Sequence, residues 1–420
     1  MGLFDKIKNL FSGKESNENP ELLTEDIIEG AESYNYVTLS AVQVGKKHSK
    51  KELPCWDYVH TVEDEKLCIA ILASGDKGGA ARGERGAQLA CVAAGEAIRT
   101  FGSHTDLTDM DERKRYESFL LLAKEILVAW KQAVAADLAE DPCESGEPAY
   151  DTEIICALCT PEYFLVLQNG QNSCVILDEA SVPISVFSCV RKKEKKNEGL
   201  LSSKNAMMNF QFYYSDVLPM AVWLYSNSLG RIYSKSEDLY ASCTRLSLAA
   251  AENGMKSCRS AMEELLQSVS ENKTSDDISA AAILSMKLLE KNRAELSNLL
   301  EYHTLWSKAE ETKRQLALVT RQLKEKQVVL KNTSERARHN RIELEEKDSG
   351  LWNIPGLELS DTEMAALQEG IKTYEDKIAT VNHEMELLRT ERMQLEVQLE
   401  ELTVQMAQLK ENTEVKEETK

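Results

Sequence analysis

A chain of 420 residues, 29% charged and only 6% aromatic, exceeds one average domain and holds a stretch of long polar helix. Its net charge of −20 argues against a nucleic-acid partner, because most of such a surface repels phosphate. All ten cysteines fall between Cys55 and Cys258 at irregular spacings, which in a chain with no secretory signal reads as reduced thiols in a cytoplasmic core.

The chain opens MGLFDKIKNLFSGK, where Leu3, Phe4, Ile7, Leu10 and Phe11 share one helical face and Asp5, Lys6, Lys8 and Asn9 the other. Residues 1–20 are therefore expected to be a short amphipathic helix and a linker. The apolar face of residues 1–11 has three possible homes: the inner face of a membrane, held peripherally, a partner, or its own domain. Lys6 breaks the myristoylation pattern.

Residues 34–286 predict one mixed domain. Strand-like runs (YVTLSAVQVG, LCIAILAS, EIICALCT, YFLVLQNG, SCVILD, AVWLYS, ISAAAILSM) are separated by helical stretches at 84–101, 112–138 and 244–270. The CxxC at Cys156 and Cys159 sits in a strand run, where positions i and i+3 face opposite ways, so the two thiols cannot share a metal.

From 287 onward the pattern changes. Leu316, Leu323, Leu330, Ala337 and Leu344 recur every seven residues, with mostly polar companions. Leu367, Ile371, Tyr374, Ile378, Val381, Met385, Leu388, Leu395, Leu399, Leu402, Met406 and Leu409 alternate spacings of four and three, broken only by Arg392. These heptad seams predict two coiled-coil arms, 287–349 and 362–412, folded back as an antiparallel hairpin through a turn at 350–361. A charged tail at 413–420 is expected to be disordered. The weaker first seam leaves room for a protein partner or a homodimer.

The stretch ILASGDKGGAARGERGAQLA, residues 71–90, predicts a buried strand, a close-approach loop and a helix. It lacks the GK[ST] of a P-loop and the spacing of a dinucleotide fold. Carboxylates at strand ends (Asp57, Asp76, Asp276 and Asp277) are of the kind that hold paired hard cations for phosphoryl hydrolysis.

The order of these segments resembles the type 2C metal-dependent serine/threonine phosphatases, the PPM family, in its bacterial branch. GKKHSKKELPCWD (45–57) is similar to that branch's first motif, residues 71–90 to its D-G-x-G loop and helix, and Asp276-Asp277-Ile278-Ser279 to its last motif. The resemblance implies an α+β fold, a PPM-type β-sandwich flanked by helices, here followed by the long antiparallel coiled-coil hairpin. It implies manganese or magnesium as cofactor, held by Asp57, Asp76 and Asp276, with Asp57 and Asp276 catalytic. Lys46, Lys47 and His48 stand where an anion-binding residue of the family would lie, so Lys46 and His48 are the expected phosphate ligands.

Three departures matter. The family's bridging aspartate falls on Gly75, with the acid one place later at Asp76; its S/T-D-G aspartate is Asn227; its G-D segment is Asn169-Gly170, without the acid. Fewer carboxylates hold a cation pair less well. The expectation is a phosphatase-like domain with an impaired metal centre, serving as a signalling or scaffold module through its coiled coil. The alternative is an active manganese- or magnesium-dependent phosphatase acting on phosphoserine and phosphothreonine proteins.

Overall fold

The computed structural model describes residues 35–75, 81–187, 199–233, 236–348 and 360–417. The amphipathic N-terminus, Asp76, the hairpin turn at 350–359 and the last three residues lie outside that set. The described chain divides into two compact units, 1–300 and 301–420.

The first unit is a sandwich of two antiparallel five-stranded sheets with helices on both outer faces. In chain order its elements are β1 (Tyr36–Gln43), α1 (Lys46–Ser49), β2 (Asp57–Asp64), β3 (Leu67–Gly75), α2 (Gly83–His104), α3 (Glu112–Glu140) and β4 (Thr152–Cys159). Then come β5 (Phe164–Asn169), β6 (Ser173–Leu177), β7 (Pro183–Ser185), α4 (Ala206–Asn209), β8 (Gln211–Ser215) and β9 (Ala221–Tyr225). The last are α5 (Asn227–Gly230), α6 (Ser236–Asn272), β10 (Ile278–Ser285) and α7 (Met286–Lys291). One sheet runs β1-β10-β9-β6-β7 and the other β2-β3-β4-β5-β8.

Covering both faces of each sheet explains why the central strands read as unbroken apolar runs. Along β3, Cys68, Ala70 and Leu72 face the other sheet, packing with Ile283 and Val222. The alternate residues Ile69, Ile71 and Ala73 pack under α2 and α3 against Ile98 and Trp130. The same alternation puts Cys156 in the outer layer and Cys159 between the sheets, so the two thiols do face apart. Helix α6 covers the outer face of the first sheet through Cys243, Leu246, Met262 and Leu266. It starts earlier than the periodicity predicts and breaks at Gly254, whose φ of 77° is a left-handed conformation that suits glycine.

Strands β2, β7 and β8 are not among the predicted runs. All three are sheet edges, and an edge strand needs no continuous apolar stretch. Across the β1/β2 border, Glu63 Oε1 accepts hydrogen bonds from the backbone N–H and hydroxyl of Thr38 at 2.6 and 2.8 Å, tying one sheet to the other.

The second unit is the helical hairpin. Helices α8 (Arg293–Asp348) and α9 (Asp361–Glu417) run in opposite directions, since Tyr302 meets Lys410, Lys326 pairs with Glu384 and Arg341 with Glu375. At 1.5 Å per residue, α9 reaches about 85 Å. Leu316, Val319 and Leu323 interlock with Val381, Met385 and Leu395, and Leu305 and Ala309 with Leu402. The polar companions of the first seam lie inside it: Thr312 and Thr333 are buried and satisfy their hydroxyls on the carbonyls of Lys308 and Val329. Arg392 turns out to solvent and pairs with Glu396. Ser360 and Glu363 exchange hydrogen bonds in a capping box that starts α9.

His60 of β2 packs against Gly95 of α2. Burial, followed by the nearby Arg99, lowers its pKa below the ordinary 6.5. The folded state thus favours the neutral ring. Stability is complete above the unfolded value and declines as pH falls toward the folded one. Replacing His60 with Gln is expected to flatten that acid-side decline, read as urea midpoints at about pH 7.5 and about pH 5.

Candidate functional site

The site lies where the 44–57 segment crosses the ends of β9 and β10. Its organising group is Asp277, only 2% exposed. Its Oδ1 accepts the Gly45 N–H at 2.7 Å; its Oδ2 accepts the Trp56 N–H at 2.7 Å and lies 2.7 Å from His48 Nδ1. One carboxylate therefore folds both ends of the GKKHSKKELPCW loop onto the last strand. The His48 ring then rests on the Trp56 indole, 4.6 Å between centroids.

Asp57 opens β2 and is 3% exposed. Its Oδ2 accepts a 2.7 Å hydrogen bond from the Ser279 hydroxyl. Ser279 donates its N–H to the Ser226 hydroxyl, and Ser226 returns its own N–H to the Ser279 carbonyl. A chain of polar contacts thus links Asp57 to the ends of β9 and β10. Cys55 sits beside it, and burial with the Asp57 and Asp277 charges raises its pKa far above the ordinary thiol value. It stays a neutral thiol rather than a nucleophile.

Asp276 is more open. It pairs with Lys47 Nζ at 2.8 Å, with side chains 24% and 66% exposed. Lys46 reaches in another direction and donates to the Glu271 carbonyl at the end of α6, 2.5 Å away. Asp57, Asp276 and His48 are thus gathered by the same crossing of segments, while Lys46 caps a helix and Asp76 lies outside the described residues.

The glycine-rich stretch approaches backbone. A Cβ on Gly75 would lie 2.8 Å from the backbone of Gly83, and one on Gly86 would lie 2.1 Å from the Tyr150 carbonyl oxygen. Position 75 therefore cannot carry an aspartate while α2 keeps its place. Arg82 locks that place by donating to the Tyr150 hydroxyl at 2.6 Å and pairing with Asp141 at 2.7 Å. Tyr150 in turn donates to Asp137 at 2.6 Å.

The asparagines also have local work. Asn169 is fully buried and donates Nδ2 to the Ala206 carbonyl at 2.7 Å, which a carboxylate could not do. Asn227 begins α5 and gives its N–H to the Asn172 side-chain oxygen at 3.0 Å. Asp277, Ser279, Ser226 and Asn172 carry much of this arrangement, and motif spacing alone does not assign them these roles. The available signal was the doubled acid at 276–277, where one carboxylate must face inward.

Among the described residues no group of three or more His, Cys, Asp or Glu is arranged to hold a metal ion. The described acids do not fit a cation pair. Asp277 spends both oxygens on donors, Asp57 accepts a hydrogen bond from the Ser279 hydroxyl, and Asp276 pairs with a lysine.

A family model described as protein phosphatase 2C matches residues 44–267. No curated protein matches the sequence. Among solved structures, a serine/threonine phosphatase from Staphylococcus aureus shares 10% identity, covering 63% of this chain and 99% of its own, with a TM-score of 0.41. A C. elegans sex determining protein shares 11%, covering 61% and 67%, at 0.44. The catalytic domain of the serine/threonine phosphatase PstP, solved with two manganese ions, shares 12%, covering 59% and 97%, at 0.41.

Two substitutions test this geometry. Asp277→Asn places an amide against three donors and is expected to cost about 1–3 kcal/mol in urea unfolding. Gly75→Asp, which would restore the missing acid by sequence, is expected to destabilise by a similar or larger amount, about 1–3 kcal/mol. Gly75→Asp folding as well as the parent chain would contradict the close approach.

Proposed function

The chain belongs to the protein phosphatase 2C family, and from that premise we propose that its phosphatase-type domain serves as a binding module rather than a working hydrolase. The family depends on manganese or magnesium, which activate a water and offset the charge of the phosphate. Two dications close together repel strongly, and only several convergent carboxylates offset that repulsion.

The observation that carries the proposal is the closed set of bonds around the acids. Asp57 is buried on Ser279, Asp277 is saturated by Gly45, Trp56 and His48, and the position expected for a bridging acid is a glycine with no room for a side chain. A cation at Asp57 would compete with Ser279 for Oδ2, and one at Asp277 would compete with the donors that hold the loop. The hairpin of α8 and α9 supplies a rigid helical surface about 85 Å long, suited to a protein partner or a second copy. In this reading the domain is a retained scaffold, and the coiled coil is what pairs or spaces the components it joins.

The test is hydrolysis of a chromogenic phosphomonoester in manganese, comparing the full chain with an Asp57→Asn, Asp276→Asn double variant. The two are expected to give the same background rate. Manganese-dependent turnover present in the parent and absent in the variant would establish a working phosphatase and refute the proposal.

A further inference from the structure

The second sheet stops at β8. This strand pairs with β5, and among the described residues no strand lies along its other edge. An open edge offers a row of backbone N–H and C=O groups to any extended chain that can lie beside it, and proteins often blunt such edges with lysine or proline. Strand β8 reads QFYYS and carries neither. Large apolar side chains left in water flank it instead. Met208 of α4 is 85% exposed, Val217 just past the strand 56%, and Tyr116 of α3 52%.

Next to this edge, α3 and β8 line a groove of about 680 Å³. Aromatic residues make up only 6% of the chain, yet Tyr116, Phe119, Phe210, Phe212 and Tyr214 all line this one groove. Phe119 stacks on Phe212 at 5.7 Å between centroids, and Tyr116 meets Phe212 edge-on at 5.9 Å, so the wall is set before anything binds. Phe212 and Tyr214 are alternate residues of β8 and share the face that packs toward α3. A strand added at the edge would bring every second side chain to that same face.

The charge of the groove runs against that of the protein. Arg113 and Arg115 line it, with Glu112 the one acid among the lining residues, in a chain of net charge −20. The Arg115 guanidinium lies 4.9 Å from the centre of the Tyr214 ring, and among the described residues no carboxylate pairs with it. Arg113 is held by Glu117, an exposed pair one turn apart on α3 that an incoming carboxylate can replace. The open edge selects extended backbone, the aromatic wall selects aliphatic side chains, and the arginines select acids.

We propose that β8 is a docking edge for an extended acidic segment of a partner protein. The segment adds as a strand beside β8, lays alternate aliphatic side chains on the Tyr116–Phe212–Tyr214 wall and sets its acids beside Arg113 and Arg115. Backbone hydrogen bonds supply affinity, and the wall and arginines supply selection. The surface shares no residue with the Asp57–Asp277 pocket, so it operates whether or not that pocket hydrolyses phosphate.

The experiment uses the full chain and a fluorescent peptide of about eight residues, with valine at alternate positions and glutamate at the others and at both ends. Its anisotropy is expected to rise saturably with protein. Replacing the glutamates with lysine, N-methylating alternate peptide amides, or making Arg115→Glu in the protein should each weaken binding about tenfold or more. Hydrogen exchange should find the outward amides of β8 open in the free chain and protected at saturating peptide, with the amides of α2 unmoved as a control for folding. Absence of saturable binding, equal binding of the lysine or N-methylated peptide, or undiminished binding by Arg115→Glu would overturn the proposal. So would outward amides already protected in the free chain, whether by another part of the chain or, where protection rises with protein concentration, by a second copy.

Discussion

The arrangement of the pocket rests on one buried carboxylate. Asp277 has almost no contact with water, and burying a carboxylate is costly unless donors replace its hydration. Here the donors are the two backbone N–H groups at either end of a polar, lysine-rich loop, with His48 beside them. Lys47 falls on Asp276, Trp56 lies against Gly83 of the glycine-rich stretch, and Asp57 begins β2 beneath Ser279. Removing that one acceptor would strand two backbone donors in a dry site and release the segment that shapes everything else there.

The glycines make the complementary point. A run of five in twenty residues suggests a loop bent around a ligand, yet Gly75 and Gly86 leave space for Gly83 and for the Tyr150 carbonyl. Close packing of α2 on the sheet and a side chain at position 75 are mutually exclusive. Asn169, fully buried, likewise donates its amide to a carbonyl that a carboxylate would repel.

Much of the architecture was legible in the sequence for a simple reason. Strands such as LCIAILAS are buried on both faces, so their apolar runs stand out, and the α9 seam keeps its heptad spacing over many turns. The edge strands DYVHTVED and QFYYS carry no such signal, because one side of each meets solvent or a loop. In the hairpin, Thr312 and Thr333 look like surface residues until their hydroxyls fold back on their own helix. For the site, the motif resemblance singled out Asp57, His48 and Asp276, which the fold brings together, but which acid of the 276–277 pair faces inward depends on strand direction and loop closure. That information arises only when Gly45 and Trp56 come together.

The account turns on whether internal bonds have replaced a cation pair. The direct measurement is anomalous diffraction from crystals of the full chain grown in manganese. No manganese peak between Asp57 and Asp276, with Ser279 still on Asp57 and Lys47 still on Asp276, is the predicted result. A pair of manganese ions bridging these two aspartates would contradict it.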